Sequence, residues 1–448
     1  MRAARTALMG PRYRGATTGA VALVFLAAFE SLAVATVMPA VTADLDGRAW
    51  FSVAFSATLA ASVVGMVAVG LWSDRAGAVR PLLCSVGLFA VGLLAAGLAP
   101  SMAWLVLGRF LQGLGLGGLV VALYVLVAQV YDVVDRPRIL GLFAAAWVLP
   151  GLVGPFLAGV VADTVGWRWV FLGVVAIAAA ALALLVPTLR AVEPPRAGAA
   201  APRGVGVRRL GLAAAVATAV VSLNLSGALP GATRAALAAG AVVVALVAVR
   251  PLLPRGTLRA GRGVPAVIAQ RGLVGGTFFA AEAYLPFLLQ EQYAAATWVS
   301  GLVLTVATIG WAGASHVQGR LGDHLRDEAA LRLGALLLAV GIAVVLVVAA
   351  LALPGVLVGA GWLVAAAGMG LMYPRITSTV LARTTVHERG TASSAVTISD
   401  AVGAAVAVAV AGLLFTAVGT AADLAAFVAV LALSLGLALL AVFVSRRV

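Results

Sequence analysis

The chain contains no lysine and a single cysteine, Cys84, among 448 residues, and only 10% of it is charged. Soluble enzymes carry roughly a quarter charged and about half apolar residues; with 63% hydrophobic residues, that class is excluded. One cysteine excludes a disulfide scaffold, and the apolar content excludes disorder. The sequence has no glycine/lysine loop of the kind that cradles nucleotide phosphates, so direct driving by ATP is not expected. His316, His324 and His387 lack the spacing of metal ligands. Neither metal, other cofactor nor enzyme chemistry is expected.

What the chain does have is apolar blocks of about 18 to 28 residues, each able to cross a ~30 Å hydrocarbon layer. They are too long and too unbroken for the alternating strands of a barrel. Fourteen spans are predicted, near 18–42, 50–72, 82–99, 102–129, 138–162, 168–187, 209–228, 232–249, 272–290, 296–318, 331–350, 354–380, 390–416 and 420–444. The net charge of +14 suggests nucleic acid until the arginines are placed. With the N-terminus inside, 25 of the 30 fall on the inner side and three, Arg48, Arg168 and Arg234, on the outer. That bias predicts a multi-pass protein with both termini cytoplasmic and an even number of spans, and no nucleic-acid partner. Twelve spans would require 209–249 to leave the bilayer, against its two apolar runs. The expected organisation is therefore all-α: a six-helix bundle over 1–189, a linker with two extra transmembrane helices over 190–262, and a second six-helix bundle over 263–448.

The two blocks echo each other. Phe29-Glu30 and Pro39 in the first span answer Ala281-Glu282 and Pro286 in the ninth, and Gly70…Asp74 after span two answers Gly319…Asp323 after span ten. Such repeats surround a central pathway in many carriers. Five ionisable residues fall within spans: Glu30, Arg109, Glu282, Arg375 and Asp400. A charge at the bilayer centre costs at least roughly 2.5–3.5 kcal/mol, so each needs a polar cavity or a partner. For Glu30 the leading role is proton coupling, with a structural ion pair to Arg109 as the alternative. Glu282 and Asp400 are candidate protonation or substrate sites. Arg375 either lines the pocket or positions helices.

Residues Gly70-Leu-Trp-Ser-Asp74-Arg75-Ala-Gly77-Ala-Val-Arg80 resemble the signature loop of the major facilitator superfamily. The basic pair expected after Gly77 is replaced by Ala78 and Val79, with Arg80 following. Arg109, Gln112 and Gly113 match the superfamily's fourth-helix pattern, in which a buried arginine is associated with proton coupling. Gly151, Gly154, Pro155 and Gly159 resemble the antiporter motif of drug:proton exporters, and Glu30 takes the acidic position of the first-helix motif in the fourteen-helix branch, where aspartate is usual. The resemblance implies a gating loop formed by Gly70, Asp74, Arg75, Gly77, Arg80 and, in the second half, Asp323. The pair 209–249 reads as peripheral scaffold, with Asn224 its notable polar side chain.

The expected function is proton-coupled export of amphiphilic or cationic small molecules by alternating access in a bacterial plasma membrane. The alternative is a dedicated carrier of one endogenous metabolite or lipid. Pocket candidates are Phe25, Phe29, Glu30, Phe278, Phe279, Glu282, Tyr284, Arg375 and Asp400. The expected partners are a small-molecule substrate, protons and membrane lipids, with a single chain as the working unit.

Overall fold

The structure, a computed structural model, describes residues 8, 10, 13–132, 134–192, 203–229, 231–321, 325–385, 389–420 and 422–448. Among them fourteen helices are long and apolar enough to cross a membrane, and there is no strand. In hydrocarbon every backbone polar group needs an internal partner, and a helix supplies one within each segment. The first bundle comprises α1 Arg14–Asp44, α2 Phe51–Ala76, α3 Val79–Gly97, α4 Met102–Val130, α5 Arg136–Thr164 and α6 Arg168–Ala191. Two inserted helices follow, α7 Arg203–Leu225 and α8 Gly231–Val249. The second bundle comprises α9 Val264–Gln292, α10 Thr297–Leu321, α11 Asp327–Ala350, α12 Val356–Ala382, α13 Arg389–Val418 and α14 Leu424–Val444. The ninth helix begins eight residues earlier than the sequence suggested, which carries Arg271 off the linker and into a span.

Small residues set the packing in both halves. Gly92 and Gly115 bring α3 and α4 into backbone contact at Gln112 and Phe89, as Gly341 and Gly368 do for α11 and α12 at Ala365 and Gly334. Within lipid, where no hydrophobic drive joins helices, such close approach is what van der Waals packing needs.

The bundles meet along two seams, α5 against α10 and α2 against α13. Both are closed at the end away from the chain termini. There Gly159 backs onto Thr297 and Trp298, Gly301 onto Pro155, and Gly412 onto Ser52. Phe51 stacks on Phe287 at 4.8 Å and meets Tyr284 at 5.1 Å. Asp163 accepts from the Trp298 backbone N–H at 3.1 Å, Gln290 donates to the Thr36 carbonyl at 3.2 Å, and Arg48 pairs with Glu291 at 2.9 Å.

The opposite, terminal end is splayed. Gly141 lies on the same face of α5 as Gly159, and Gly319 on the same face of α10 as Gly301, each eighteen residues or about five turns away. A Cβ at Gly159 or Gly301 would collide with the facing backbone, whereas at Gly141 or Gly319 it would meet nothing within 4 Å. The same two helical faces touch at one end and part at the other. A cleft between the bundles therefore opens toward the face that carries both termini.

Helix α7 is not peripheral to this arrangement. It packs on α2 and on α13, with Ala217, Val220 and Leu223 against Ala60 of one bundle and Ala405 and Ala409 of the other. Buried Asn224 donates to Ser56 Oγ at 2.7 Å. Helix α8 packs mainly on α7.

Candidate functional site

In the first bundle Glu30 (α1) and Arg109 (α4) form an ion pair, both almost wholly buried. Arg109 Nη1 also donates to Gln112 Oε1 at 2.7 Å, and its Nε to the Ala54 carbonyl of α2 at 3.4 Å. Gln112 stands one turn from Arg109, so α4 presents both to α1. Glu30 Oε2 and Gln112 Nε2 are buried with no hydrogen-bond partner. The pair thus satisfies the charges but not every polar atom.

The second bundle holds a different cluster. Arg271 on α9 donates to Asp400 Oδ2 of α13 at 3.1 Å and to the Tyr373 carbonyl of α12 at 3.3 Å. The Tyr373 hydroxyl donates to Asp400 Oδ1 at 2.6 Å. The guanidinium lies 3.3 Å from the Tyr373 ring centroid, a cation–π contact of about 0.5–2 kcal/mol. Gly275 makes room for the carboxylate, since a Cβ there would collide with Asp400 Oδ1. Unlike the first pair, this one is partly exposed: 14% for Arg271 and 20% for Asp400.

Glu282 sits eleven residues beyond Arg271 on α9, about 16 Å along the axis. It is half-buried and makes no hydrogen bond or ion pair with any described residue. A mid-span carboxylate left in this condition is available to a proton or a cation.

The remaining candidates separate. Phe25 and Phe29, one turn apart on α1, are half-buried, with Phe29 against Gly154 of α5. Phe278 stacks on buried Trp362 at 4.5 Å and meets Phe279 and Trp311 edge-on. Tyr284 belongs to the aromatic plug at the closed end. Arg375 turns to the start of α11, pairing with Asp327 at 2.7 Å and donating to the Leu325 carbonyl. Gly151, Gly154, Pro155 and Gly159 run along α5, and Gly151 faces Thr308 of α10. Gly113 lies on the Thr58 backbone of α2. At the splayed end Asp74, Arg75 and Arg80 are exposed, and Gly77 turns the chain at φ 73°. Asp323 lies outside the described residues, as do His324 and His387. Among the described residues no three acidic, histidine or cysteine side chains gather as metal ligands would.

Three site residues, Arg271, Tyr373 and Trp311, were missed from sequence. Arg271 follows the basic linker and looks like one more inner-loop arginine; its partner Asp400 is 129 positions away. Trp311, edge-on to Tyr373 at 4.9 Å, is one aromatic in an apolar run and gives no signal.

Relatives agree with this architecture. The sequence profile of the Major Facilitator Superfamily matches residues 20–408. Over 170 residues the chain is 33% identical to an MFS-type transporter of the acurin A biosynthesis cluster in Aspergillus aculeatus, covering 38% of this chain and 31% of that protein. It is 30% identical over 151 residues to multidrug resistance protein 3 of Bacillus subtilis, covering 33% of this chain and 29% of that protein. The matched stretch thus spans under a third of either relative's length. Among solved structures, a point mutant of the peptide transporter POT in complex with sulfate superposes with a TM-score of 0.69 at 15% identity, over 96% of this chain and 94% of that one. A bacterial homologue of the human lysosomal transporter Spinster, in an inward-facing and occupied conformation, gives 0.67 at 14% identity, over 98% and 96%. Shared helices, paired bundles and the profile match converge: the chain belongs to the major facilitator superfamily of membrane transporters.

Proposed function

We propose that the protein is a proton-coupled exporter of amphiphilic, often cationic, small molecules, working by alternating access in a bacterial plasma membrane. The observation that carries this reading is Glu282, a half-buried mid-span carboxylate with no ion-pair partner among the described residues. In a low-dielectric cleft an unpaired carboxylate attracts a proton or an organic cation, and the two compete. Trp311 and Tyr373, both half-buried in the same bundle, supply faces for an apolar or cationic body. The kinship with a multidrug resistance protein supports export, and the arginine bias supports a cytoplasmic side for the splayed end and both termini. The cleft is then inward-facing. Substrate enters from the cytoplasm or inner leaflet, and protonation of the carboxylates drives the return step. Glu30 is the coupling partner: its protonation cancels the attraction that holds α1 to Arg109 on α4.

The test is simultaneous measurement of substrate and proton flux in proteoliposomes under an imposed proton gradient. A lipophilic cation such as tetraphenylphosphonium should accumulate uphill in wild type. Glu30→Gln should bind it but abolish gradient-driven accumulation, and Glu282→Gln should weaken its binding about tenfold. Uphill transport with unchanged proton coupling in Glu30→Gln removes Glu30 from the mechanism. Selective flux of one neutral metabolite with none of the cation would favour a dedicated metabolite carrier.

A further inference from the structure

The two seams between the bundles are alike in being closed at the end away from the termini but unlike in what lies outside them. Over α2 and α13 lies α7, whose Ala217, Val220 and Leu223 rest on small residues of both helices. Asn224 adds a buried hydrogen bond to Ser56 at 2.7 Å. Toward the splayed end Gly206 of α7 still sits against Leu71 of α2. Among the described residues no helix covers α5 and α10 in the same way, since α7 packs on neither to any comparable extent. Their splayed halves bare large apolar side chains, including Leu142, Trp147, Ile309 and Val317. One seam is strapped; the other stands open to the bilayer.

We propose that α5 and α10 form the membrane-side entrance to the cleft, and that α7 confines entry from lipid to this one side. The occupant is the amphiphilic substrate itself, so the inference rests on the export reading above. Amphiphiles concentrate in the leaflet, with the polar head at the interface and the apolar body among the chains. A slot lined by apolar side chains and glycines, widening toward the interface, takes such a molecule tail-first without exposing it to water. Gly141 and Gly319 mark its mouth: on facing helical sides, each has open space where a side chain would begin. From there the slot leads inward past Gly151 and Thr308, where the helices come together. The strap is also suited to a moving seam. Its fully buried contacts on α2 and α13 are the alanines Ala60, Ala405 and Ala409, flanked by larger half-buried side chains, and such small contact residues let those helices shift beneath it without losing the seal.

Two measurements decide the question. In a Cys84→Ser background, a fluorophore on Ala145→Cys, which lies one turn inward from Gly141 on an exposed part of α5, should be quenched strongly by nitroxide lipids. A label on Ala405→Cys, beneath the strap, should be quenched several-fold less. In proteoliposomes, Gly141→Trp and Gly319→Trp should raise KM about tenfold for a bilayer-partitioning cation and less than twofold for a water-soluble one. Gly211→Trp and Gly240→Trp, at equally open positions on the inserted pair, should change neither. Equal quenching at the two labels, or a parallel loss for both substrates, overturns the proposal. If neither compound is transported, the export reading fails and the quenching contrast alone judges the seam.

Discussion

The two halves of the molecule place charge in the membrane in opposite ways. The first half closes Glu30 and Arg109 on each other, almost without exposure, between α1 and α4. The second spreads its charge over Arg271, Asp400 and Tyr373 at a partly exposed junction of three helices, and leaves Glu282 alone farther along α9. Glu30 and Glu282 occupy corresponding helices of an internal repeat, yet only the first has a cation beside it. The difference lies in α4 and its counterpart α12: in the register set by the matching Gly92–Gln112 and Gly341–Ala365 contacts, α4 carries Arg109 where α12 carries the fully buried Trp362. A repeat fixes where a carboxylate stands. The neighbouring helix decides whether it is a locked pair or a free site.

The largest effect should come from breaking the locked pair. Arg109→Met leaves Glu30 buried without compensation, a loss of about 3–5 kcal/mol in comparable cases, together with the Gln112 and Ala54 contacts. Thermal unfolding in detergent should show a drop of several degrees, and transport should vanish. Adding Glu30→Gln should restore most of the stability but no coupling. Arg271→Met should cost less, about 1.5–3 kcal/mol, because Asp400 keeps the Tyr373 hydroxyl and is within reach of water. Equal losses in the two halves would erase the contrast.

An intermediate effect should follow from wedging the closed end. A leucine at Gly159 or Gly301 drives its Cβ into the facing backbone, and overpacking of this kind costs typically 1–3 kcal/mol. The strain is relieved if α5 and α10 part, so the equilibrium should move toward the state open at that end. Spin-label distances across each end report it: longer at the closed end, shorter at the splayed one, with transport reduced about tenfold. Gly141→Ala and Gly319→Ala, in open space, should leave both distances unchanged. A wedge that lowers stability without moving either distance would show that the seam is packing rather than a hinge.

Much of this was legible in the sequence, and the limits have physical causes. The fourteen spans follow from apolar length, since the bilayer imposes a minimum run on any helix that crosses it. The Glu30–Arg109 pair was open as one of two readings, because two opposite charges in hydrocarbon have few other partners. Arg271 was hidden because charge counting sees only that an arginine follows a linker. What moves it into the membrane is a carboxylate and a ring on two helices far along the chain. The place of α7 was hidden for a similar reason. An alanine-rich face packs equally well on one helix or on the joint between two, and only the assembled bundles show that it bridges both.

The smallest effect on stability should come from Asp74→Asn, and that is what makes it informative. Asp74 ends α2 at the splayed mouth, exposed, with no ion pair or hydrogen bond to any described residue. Exposed substitutions without partners change stability by no more than about 0.5 kcal/mol, so unfolding should be indistinguishable from wild type. Its carboxylate can act only when the mouth closes and brings basic groups or helix-end amides from the other bundle within reach. Removing the charge then penalises the closed-mouth state alone. Label distances across the terminal face should shift toward the open population, and exchange should slow about two- to threefold while substrate affinity holds. The Glu30–Arg109 pair should be indifferent, so proton stoichiometry should stay at the wild-type value. If neither the mouth distances nor the exchange rate moves, Asp74 is an ordinary charged turn, and control of access passes to the seams themselves.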